Sequence, residues 1–122
     1  MNSHVRTIAV IDDDFRVLEA LQNLLASYGY MAKTYSSAEV FFASDGLSDT
    51  QCIIADVEMR QISGLELLQR LRISHCEVPV IIITGKPSAK NETFYLDQGA
   101  NGFFRKPVDG PALVTLIDHL LT

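Results

Sequence analysis

Five apolar runs of strand length alternate with segments of helical period along this chain, and this alternation constrains the fold more than any other feature. The predicted strands cover residues 6–12, 31–35, 51–56, 79–84 and 102–106. The predicted helices cover residues 15–29, 36–46, 63–74, 88–99 and 110–121. Short connections and continuous Val/Ile/Leu strands are typical of a parallel sheet with helices on both faces. We therefore predict an α/β fold with a five-stranded parallel sheet, doubly wound as (βα)5.

Local signals support the predicted helix boundaries. Gly29 is a suitable C-terminal stop for the first helix. Glu66 stands four residues before Arg70, which predicts an exposed ion pair on the third helix. The fourth helix is polar and poor in core residues.

Composition narrows the class of protein. A chain of 122 residues with 48% apolar and 20% charged residues is ordinary for one globular domain, so we predict a single domain over residues 1–122. No stretch approaches the roughly 20 apolar residues of a membrane span, and "MNSHVRT" has no signal-peptide core, so we expect a cytoplasmic protein without membrane contact. The net charge of −5 argues against direct nucleic-acid binding.

Cys52 and Cys76 lack metal-ligand spacing, and we interpret them as reduced structural thiols.

Polar and reactive residues collect where the predicted strands end. They are Asp12 and Asp13 after the first strand, Asp56 after the third, Thr84 after the fourth and Lys106 after the fifth. In open parallel sheets, ligands bind outside the carboxyl ends of the strands, where the strand order reverses. We therefore expect these side chains to converge on one crevice.

Carboxylates, a hydroxyl and an ammonium group together are suited to phosphoryl chemistry. Two carboxylates about 4 Å apart repel by about 4 kcal/mol at an effective dielectric of about 20, so the fold must supply a cation or retain a proton. Mg²⁺ (or Mn²⁺) takes carboxylate and water oxygens and leaves room for a phosphate. The negative charges of Asp12, Asp13 and Asp56 are then balanced by the positive charges of the metal ion and Lys106. We interpret Asp14, the next residue, as a cap or first-turn residue of the first helix.

The chain resembles the receiver domains of two-component response regulators over essentially its full length. The resemblance rests on "VIDDD", "IIADVEMRQISGLELL", "PVIIITG" and "GANGFFRKPV". It implies a flavodoxin-like receiver fold with strand order 2-1-3-4-5. It also implies a phosphorylation-dependent switch rather than an enzyme in the usual sense, since receivers catalyse only their own phosphotransfer and dephosphorylation.

The resemblance implies a role for each acidic position. Asp56 matches the phosphoacceptor, which attacks a phosphohistidine on a partner kinase to form an acyl phosphate. Asp13 matches the carboxylate that binds Mg²⁺ directly, and Asp12 the one that positions it, largely through water. The backbone carbonyl of Glu58 matches the third protein ligand.

The resemblance also implies which residues lie around the phosphoryl group. Lys106 matches the lysine that contacts the phosphoryl oxygens, and Thr84 matches the hydroxyl that moves to hydrogen-bond them. Gly85 matches a small residue that admits the phosphoryl donor. Pro107 matches the proline that follows the lysine through a cis peptide bond.

The family also couples the threonine to an aromatic ring three residues before the lysine, which here is Phe103. On phosphorylation that ring moves inward and changes the surface of the fourth helix, fifth strand and fifth helix. Phe104 must point to the opposite face of the sheet. We therefore expect one ring of the pair to be packed in the interior and the other to be the switch, and we favour Phe103 as the switch.

The loop after the phosphoacceptor departs from the family pattern. Receivers usually have Met-Pro-Gly or similar there, whereas residues 59–61 are Met-Arg-Gln, so either the loop is looser or Arg60 finds a partner. Glu58 and Lys86 stand two residues beyond Asp56 and Thr84 and flank the attacking water in this family. We hypothesise that they pair across the mouth of the site and change the lifetime of the acyl phosphate; two solvated side chains are the alternative.

The expected partners are a histidine kinase or phosphotransfer protein, and an output domain or downstream protein. "FFRKPV" and "SGLELL" resemble receivers attached to helix-turn-helix regulators of the nitrogen-fixation type. Two questions stay open at this point. The chain is either a stand-alone receiver or the N-terminal part of a longer regulator, and phosphorylation either does or does not produce a homodimer.

Two other functions fit parts of the sequence. A Mg²⁺-dependent phosphatase of the haloacid-dehalogenase kind also uses Asp, Thr and Lys, but its nucleophile ends the first strand in an Asp-x-Asp motif. Here the lone Asp56 ends the third strand and is followed two residues later by Glu58. A flavin-binding module would need a Ser/Thr/Gly-rich loop after the first strand, where residues 12–14 are all aspartate.

Overall fold

The structure is a computed structural model that describes residues 5–86 and 90–122. Five parallel strands form one sheet in the order β2-β1-β3-β4-β5. The strands are β1 (Thr7–Ile11), β2 (Met31–Tyr35), β3 (Cys52–Asp56), β4 (Val80–Thr84) and β5 (Gly102–Arg105). The predicted fold class and strand order are confirmed, and each predicted strand agrees with an observed one to within one residue at either end.

Six helices connect or follow the strands in the described ranges. They are α1 (Phe15–Ser27), α2 (Ala38–Ala43), α3 (Gly46–Asp49), α4 (Gly64–Ile73), α5 (Glu92–Asp97) and α6 (Gly110–Leu120). The fourth and fifth predicted helices therefore correspond to α5 and α6. The predicted start of the fourth helix, at Ser88 and Ala89, lies outside the described residues.

The prediction of one helix over residues 36–46 is wrong at its C-terminal end. Ser44 stops α2, because its hydroxyl donates to the Phe41 carbonyl at 2.7 Å and accepts from the Gly46 N–H at 3.0 Å. Gly46 then begins the single turn of α3, at a place where a side chain would collide with the Tyr35 hydroxyl. A serine that bonds to neighbouring backbone groups competes with the helical pattern.

Side-chain caps set the starts of the longer helices. Asp14 is the N-cap of α1, and its Oδ1 accepts a hydrogen bond from the Arg16 N–H at 2.9 Å, as predicted. Gly29 follows the end of α1 with φ +90°, a left-handed conformation suited to glycine. The predicted Glu66–Arg70 ion pair is present at 2.7 Å, with both side chains exposed.

Alternate residues of the strands point to opposite faces, and each face carries its own apolar core. One face packs Ile8, Val10 and Ile54 against α1 and α6. The other packs Ala9, Ile11 and residues of β3 and β4 against α2, α4 and α5. Burial on both faces explains why the sequences of the central strands β1, β3 and β4 are almost continuously apolar.

Both cysteines are free thiols, in agreement with the sequence prediction. Burial raises the pKa of the Cys52 thiol to about 12, which keeps it protonated and unreactive at neutral pH. Across the described residues, the helices are too short or too polar to cross a bilayer.

Candidate functional site

The carboxyl ends of β1, β3 and β5 bring the predicted acids and the lysine together. Carboxylate oxygens of Asp12, Asp13 and Asp56 lie within 4.8 Å of one another. The Lys106 Nζ lies 2.8 Å from Asp12 Oδ2 and 3.4 Å from Asp56 Oδ2. Thr84 is fully buried at the end of the intervening strand β4. The fold therefore assembles in one place the set that the strand ends predicted.

The three consecutive aspartates have three different surroundings. Asp12 is fully buried, and its Oδ1 accepts from the Asp14 N–H at 2.9 Å while its Oδ2 faces the lysine. Asp13 is exposed to solvent. The Asp14 side chain turns away to cap α1. Asp12 is thus held by the protein, and Asp13 is the carboxylate that an ion arriving from solvent can reach.

The negative charge of the Asp56 carboxylate is only partly compensated by its neighbours. It is only 4% exposed, and its Oδ1 is buried without a hydrogen-bond partner among the described residues. Burial, and next the nearby charge of Asp12, raise the pKa of Asp56 to about 6, although Lys106 opposes the shift. An unpartnered carboxylate oxygen inside a carboxylate cluster fits a hard divalent cation, which requires oxygen ligands.

Lys106 balances part of this charge. Burial alone lowers the pKa of its ammonium group, but the hydrogen bond and charge of Asp12, together with Asp56, outweigh burial and raise the pKa above its ordinary value. The lysine is therefore cationic at neutral pH. One ammonium group between buried carboxylates leaves a net negative site for a metal ion to neutralise.

Gly85 and Lys86, which follow β4, lie next to Lys106 and Glu58. The Thr84 hydroxyl accepts a hydrogen bond from the Lys86 N–H at 3.1 Å. The Lys86 Nζ lies 3.2 Å from Glu58 Oε2, so the hypothesised pair is formed in this structure, with side-chain exposures of 61% and 28%. At Gly85 a Cβ would lie 3.4 Å from the Lys106 Cδ, which is van der Waals contact with the lysine chain.

The prediction that one ring of the Phe103–Phe104 pair lies in the interior is wrong. Both rings are half-buried, and they pack against opposite apolar cores. The reason is that β5 is an edge strand, which is covered less completely than the central strands. Phe103 stacks on Tyr95, with ring centroids 5.3 Å apart and planes at 11°, and the Arg105 guanidinium lies 5.2 Å from the Phe103 centroid.

The loop after β3 is anchored in spite of its unusual sequence. Met59 is buried in a core, Gln61 takes a left-handed conformation with φ 62°, and the Ile62 N–H donates to Glu39 Oε2 at 3.3 Å. Arg60 is exposed, and no carboxylate among residues 5–86 and 90–122 lies within ion-pair distance of it. The loop is therefore held by Met59 and Glu39 rather than by Arg60.

Gly64 is a site-shaping residue that the sequence reasoning missed. A side chain at this position would collide with the Asp56 carbonyl oxygen, and the Gly64 N–H donates to the Val57 carbonyl at 3.1 Å. The start of α4 can therefore pack directly against the end of β3 only because this residue is glycine. A glycine at the first position of a predicted helix, directly after the Ser63 cap, was the available signal.

Pro107 lies beside the site. The Lys106–Pro107 peptide bond is cis, as the resemblance implied. Pro107 lines a largely apolar cleft of about 550 Å³, together with Val17 and Leu21 of α1.

Comparisons with known proteins agree with this geometry. The family profile of the response regulator receiver domain matches residues 8–118. The response regulator protein TmoT of Ectopseudomonas mendocina is 36% identical over 107 residues, which cover 88% of this chain and 49% of TmoT. The transcriptional regulatory protein FixJ of Azorhizobium caulinodans is 36% identical over 110 residues, which cover 90% of this chain and 52% of FixJ.

Solved structures show the same likeness. The structure of the response regulator StyR matches with a TM-score of 0.87 at 30% identity, over 97% of this chain and 60% of that chain. The chain spans about half the length of the two curated relatives, TmoT and FixJ.

Proposed function

This chain belongs to the response regulator receiver domain family, and on that premise we propose that Asp56 accepts a phosphoryl group from phosphohistidine in a Mg²⁺-dependent reaction. Receiver domains are signalling switches that bind Mg²⁺ at an acidic pocket. The observation that carries the proposal is the buried, unpartnered Oδ1 of Asp56 within a cluster of carboxylates next to Lys106.

In the proposed transfer, the ionised Asp56 carboxylate attacks phosphorus, an O–P bond forms, and the P–N bond of the donor breaks with its electron pair returning to the imidazole. A pKa of about 6 leaves this carboxylate largely ionised at pH 7. The residues proposed to hold the metal are Asp12, Asp13, Asp56 and the backbone carbonyl of Glu58. Bound Mg²⁺ would neutralise charge on the carboxylates and on the phosphoryl oxygens.

Lys106 and Thr84 are proposed to hold the transferred group. The cationic Lys106 Nζ lies 3.4 Å from the Asp56 carboxylate. A phosphoryl group transferred to this carboxylate would bring its negatively charged oxygens close to the lysine. Phosphoryl transfer depends mainly on positioning and on such charge stabilisation. The Thr84 hydroxyl is proposed to turn toward these oxygens and Phe103 to move inward, which changes the surface of α5, β5 and α6.

The Glu58–Lys86 pair is proposed to set the lifetime of the acyl phosphate. The pair is formed at 3.2 Å at the mouth of the site. A water that hydrolyses the acyl phosphate must approach between these side chains, so a closed pair slows hydrolysis. Gly85, between Thr84 and Lys86, is proposed to leave space for the donor imidazole.

The proposed biological setting is a two-component pathway. We propose residues 1–122 as one receiver domain, phosphorylated in the cytoplasm by a histidine kinase or phosphotransfer protein. Because FixJ is named a transcriptional regulatory protein and TmoT a response regulator, we propose that the output is transcriptional. A net charge of −5 supports an output partner or domain, rather than residues 1–122, as the part that contacts DNA.

The test is phosphorylation by acetyl phosphate in Mg²⁺, followed by intact-mass measurement. The wild type is expected to gain one phosphoryl group and to lose it in EDTA-free buffer at a measurable rate. Asp56→Asn is expected to gain none, and Asp14→Asn, which keeps the helix cap, is the matched control that reacts like the wild type. An unmodified wild type would contradict the proposal, and turnover of many equivalents of a small phosphate ester per chain would favour the phosphatase alternative. Size-exclusion chromatography of the same samples shows whether the phosphorylated form is a dimer.

A further inference from the structure

The Arg105 side chain links the Phe103 ring to the segment at the mouth of the site. Its guanidinium carbon lies 5.2 Å from the Phe103 ring centroid, and its Nη1 donates to the Lys86 carbonyl oxygen at 3.3 Å. Arg105 is exposed, and within the described ranges no carboxylate pairs with it. Among the described residues, the guanidinium therefore contacts a ring face and a carbonyl oxygen.

Lys86 carries this link to the phosphoacceptor site. Its N–H donates to the Thr84 hydroxyl at 3.1 Å, and its Nζ pairs with Glu58 at 3.2 Å. The backbone of Lys86 thus lies between the Thr84 hydroxyl and the Arg105 guanidinium. A displacement of Thr84 changes the hydrogen bond to Lys86, and with it the carbonyl that Arg105 holds.

The Phe103 ring is positioned by two neighbours. Tyr95, which is buried, stacks on it with centroids 5.3 Å apart, and Arg105 lies over it. An inward movement of the ring removes it from the guanidinium, which is tied to the exposed end of β5. Both contacts of Arg105 therefore belong to the arrangement that precedes the movement.

We propose that Arg105 is a positioning residue that favours the unphosphorylated arrangement of Phe103 and Lys86. This inference rests on the proposed function, because it takes Thr84 and Phe103 to move when Asp56 is modified. A contact made in only one of two states opposes any ligand that selects the other state. An exposed cation–π contact shifts such an equilibrium by about two- to five-fold.

The test is a titration with beryllofluoride, a phosphoryl mimic, in Mg²⁺, followed by the amide resonances of Thr84 and Phe103. Arg105→Gln is expected to bind the mimic about two- to five-fold more tightly than the wild type. Arg105→Lys keeps the charge without the planar group, so its affinity is expected between the two. Arg70→Gln removes an exposed arginine of α4 and is the matched charge control, expected to bind like the wild type.

The Phe103→Leu background separates the ring contact from a general surface effect. Without the ring, Arg105→Gln is expected to change the affinity less than it does in the wild type. Equal affinities of the wild type and Arg105→Gln would overturn the inference, and so would an undiminished effect in Phe103→Leu. A wild type that does not respond to beryllofluoride would instead overturn the proposed function, so the two failures are distinguishable.

Discussion

Two lysine–carboxylate pairs lie a short distance apart in the fold and differ in their access to water. Lys106 lies 2.8 Å from Asp12, with side-chain exposures of 22% and 0%. Lys86 lies 3.2 Å from Glu58, with exposures of 61% and 28%. Because charges interact more strongly away from solvent, the first pair is expected to affect both stability and phosphoryl transfer, and the second to affect only the rate of dephosphorylation.

Breaking the buried pair is expected to have the largest effect. Lys106→Ala leaves Asp12 and Asp56 without a compensating cation and should lower the free energy of unfolding by about 3 kcal/mol at pH 7 in EDTA. Urea unfolding measures this change, and Lys86→Ala is the control from the exposed pair. A loss no larger than that of Lys86→Ala would remove the distinction between the two pairs.

Removing the buried charge of Asp56 should raise the free energy of unfolding, in contrast to the loss expected for Lys106→Ala. Because the folded-state pKa of Asp56 is raised to about 6 from 3.8, the folded chain binds this proton more tightly than the unfolded chain. The ionised group therefore destabilises the fold above pH 6, and this penalty is relieved as the pH falls from about 6 to 4. Asp56→Asn should raise the free energy of unfolding at pH 7 in EDTA by about 2 to 3 kcal/mol.

Urea unfolding of the wild type and Asp56→Asn at pH 5 and pH 7.5 checks this sign. The two proteins should differ less at pH 5. An Asp56→Asn variant that is less stable than the wild type at both pH values would show that the Asp56 pKa is lowered rather than raised.

Mg²⁺ binding to the acidic cluster should stabilise the folded protein by a smaller amount than the Asp56→Asn substitution does. Mg²⁺ at roughly ten times its dissociation constant should raise the free energy of unfolding by about 1.4 kcal/mol. Asp13→Asn should abolish this gain, whereas Asp14→Asn should retain it because Asp14 caps α1. Thermal unfolding with Mg²⁺ or EDTA compares the three proteins, and equal gains in both variants would contradict the separate roles of these neighbours.

The exposed pair should have the smallest effect on stability. Lys86→Gln and Glu58→Gln should each change the free energy of unfolding by less than about 0.5 kcal/mol, because the pair is hydrated. They should nevertheless accelerate loss of the phosphoryl group from Asp56, measured by intact mass over time. An unchanged dephosphorylation rate in both variants would leave the pair without a kinetic role.

Much of the fold could be predicted because its signals are local. The central strands β3 and β4 are buried on both faces, so each appears in the sequence as a nearly continuous apolar run that ends at a polar residue. The break between α2 and α3 escaped prediction because it depends on hydrogen bonds of Ser44 and on the proximity of Tyr35. The half-buried positions of both Phe103 and Phe104 also escaped it, because the pattern within β5 does not show how well an edge strand is covered.

By itself, the sequence determined which side chains meet. The carboxyl ends of parallel strands share one edge, so residues that end strands converge whatever the details of packing. Tertiary structure alone decided that Asp12 is buried while Asp13 is exposed, that Asp56 keeps an unpartnered oxygen, and that Gly64 presses on its carbonyl. It also placed Arg105 over Phe103. Burial and distance set the strength of each charge, and both depend on contacts between residues that are remote in sequence.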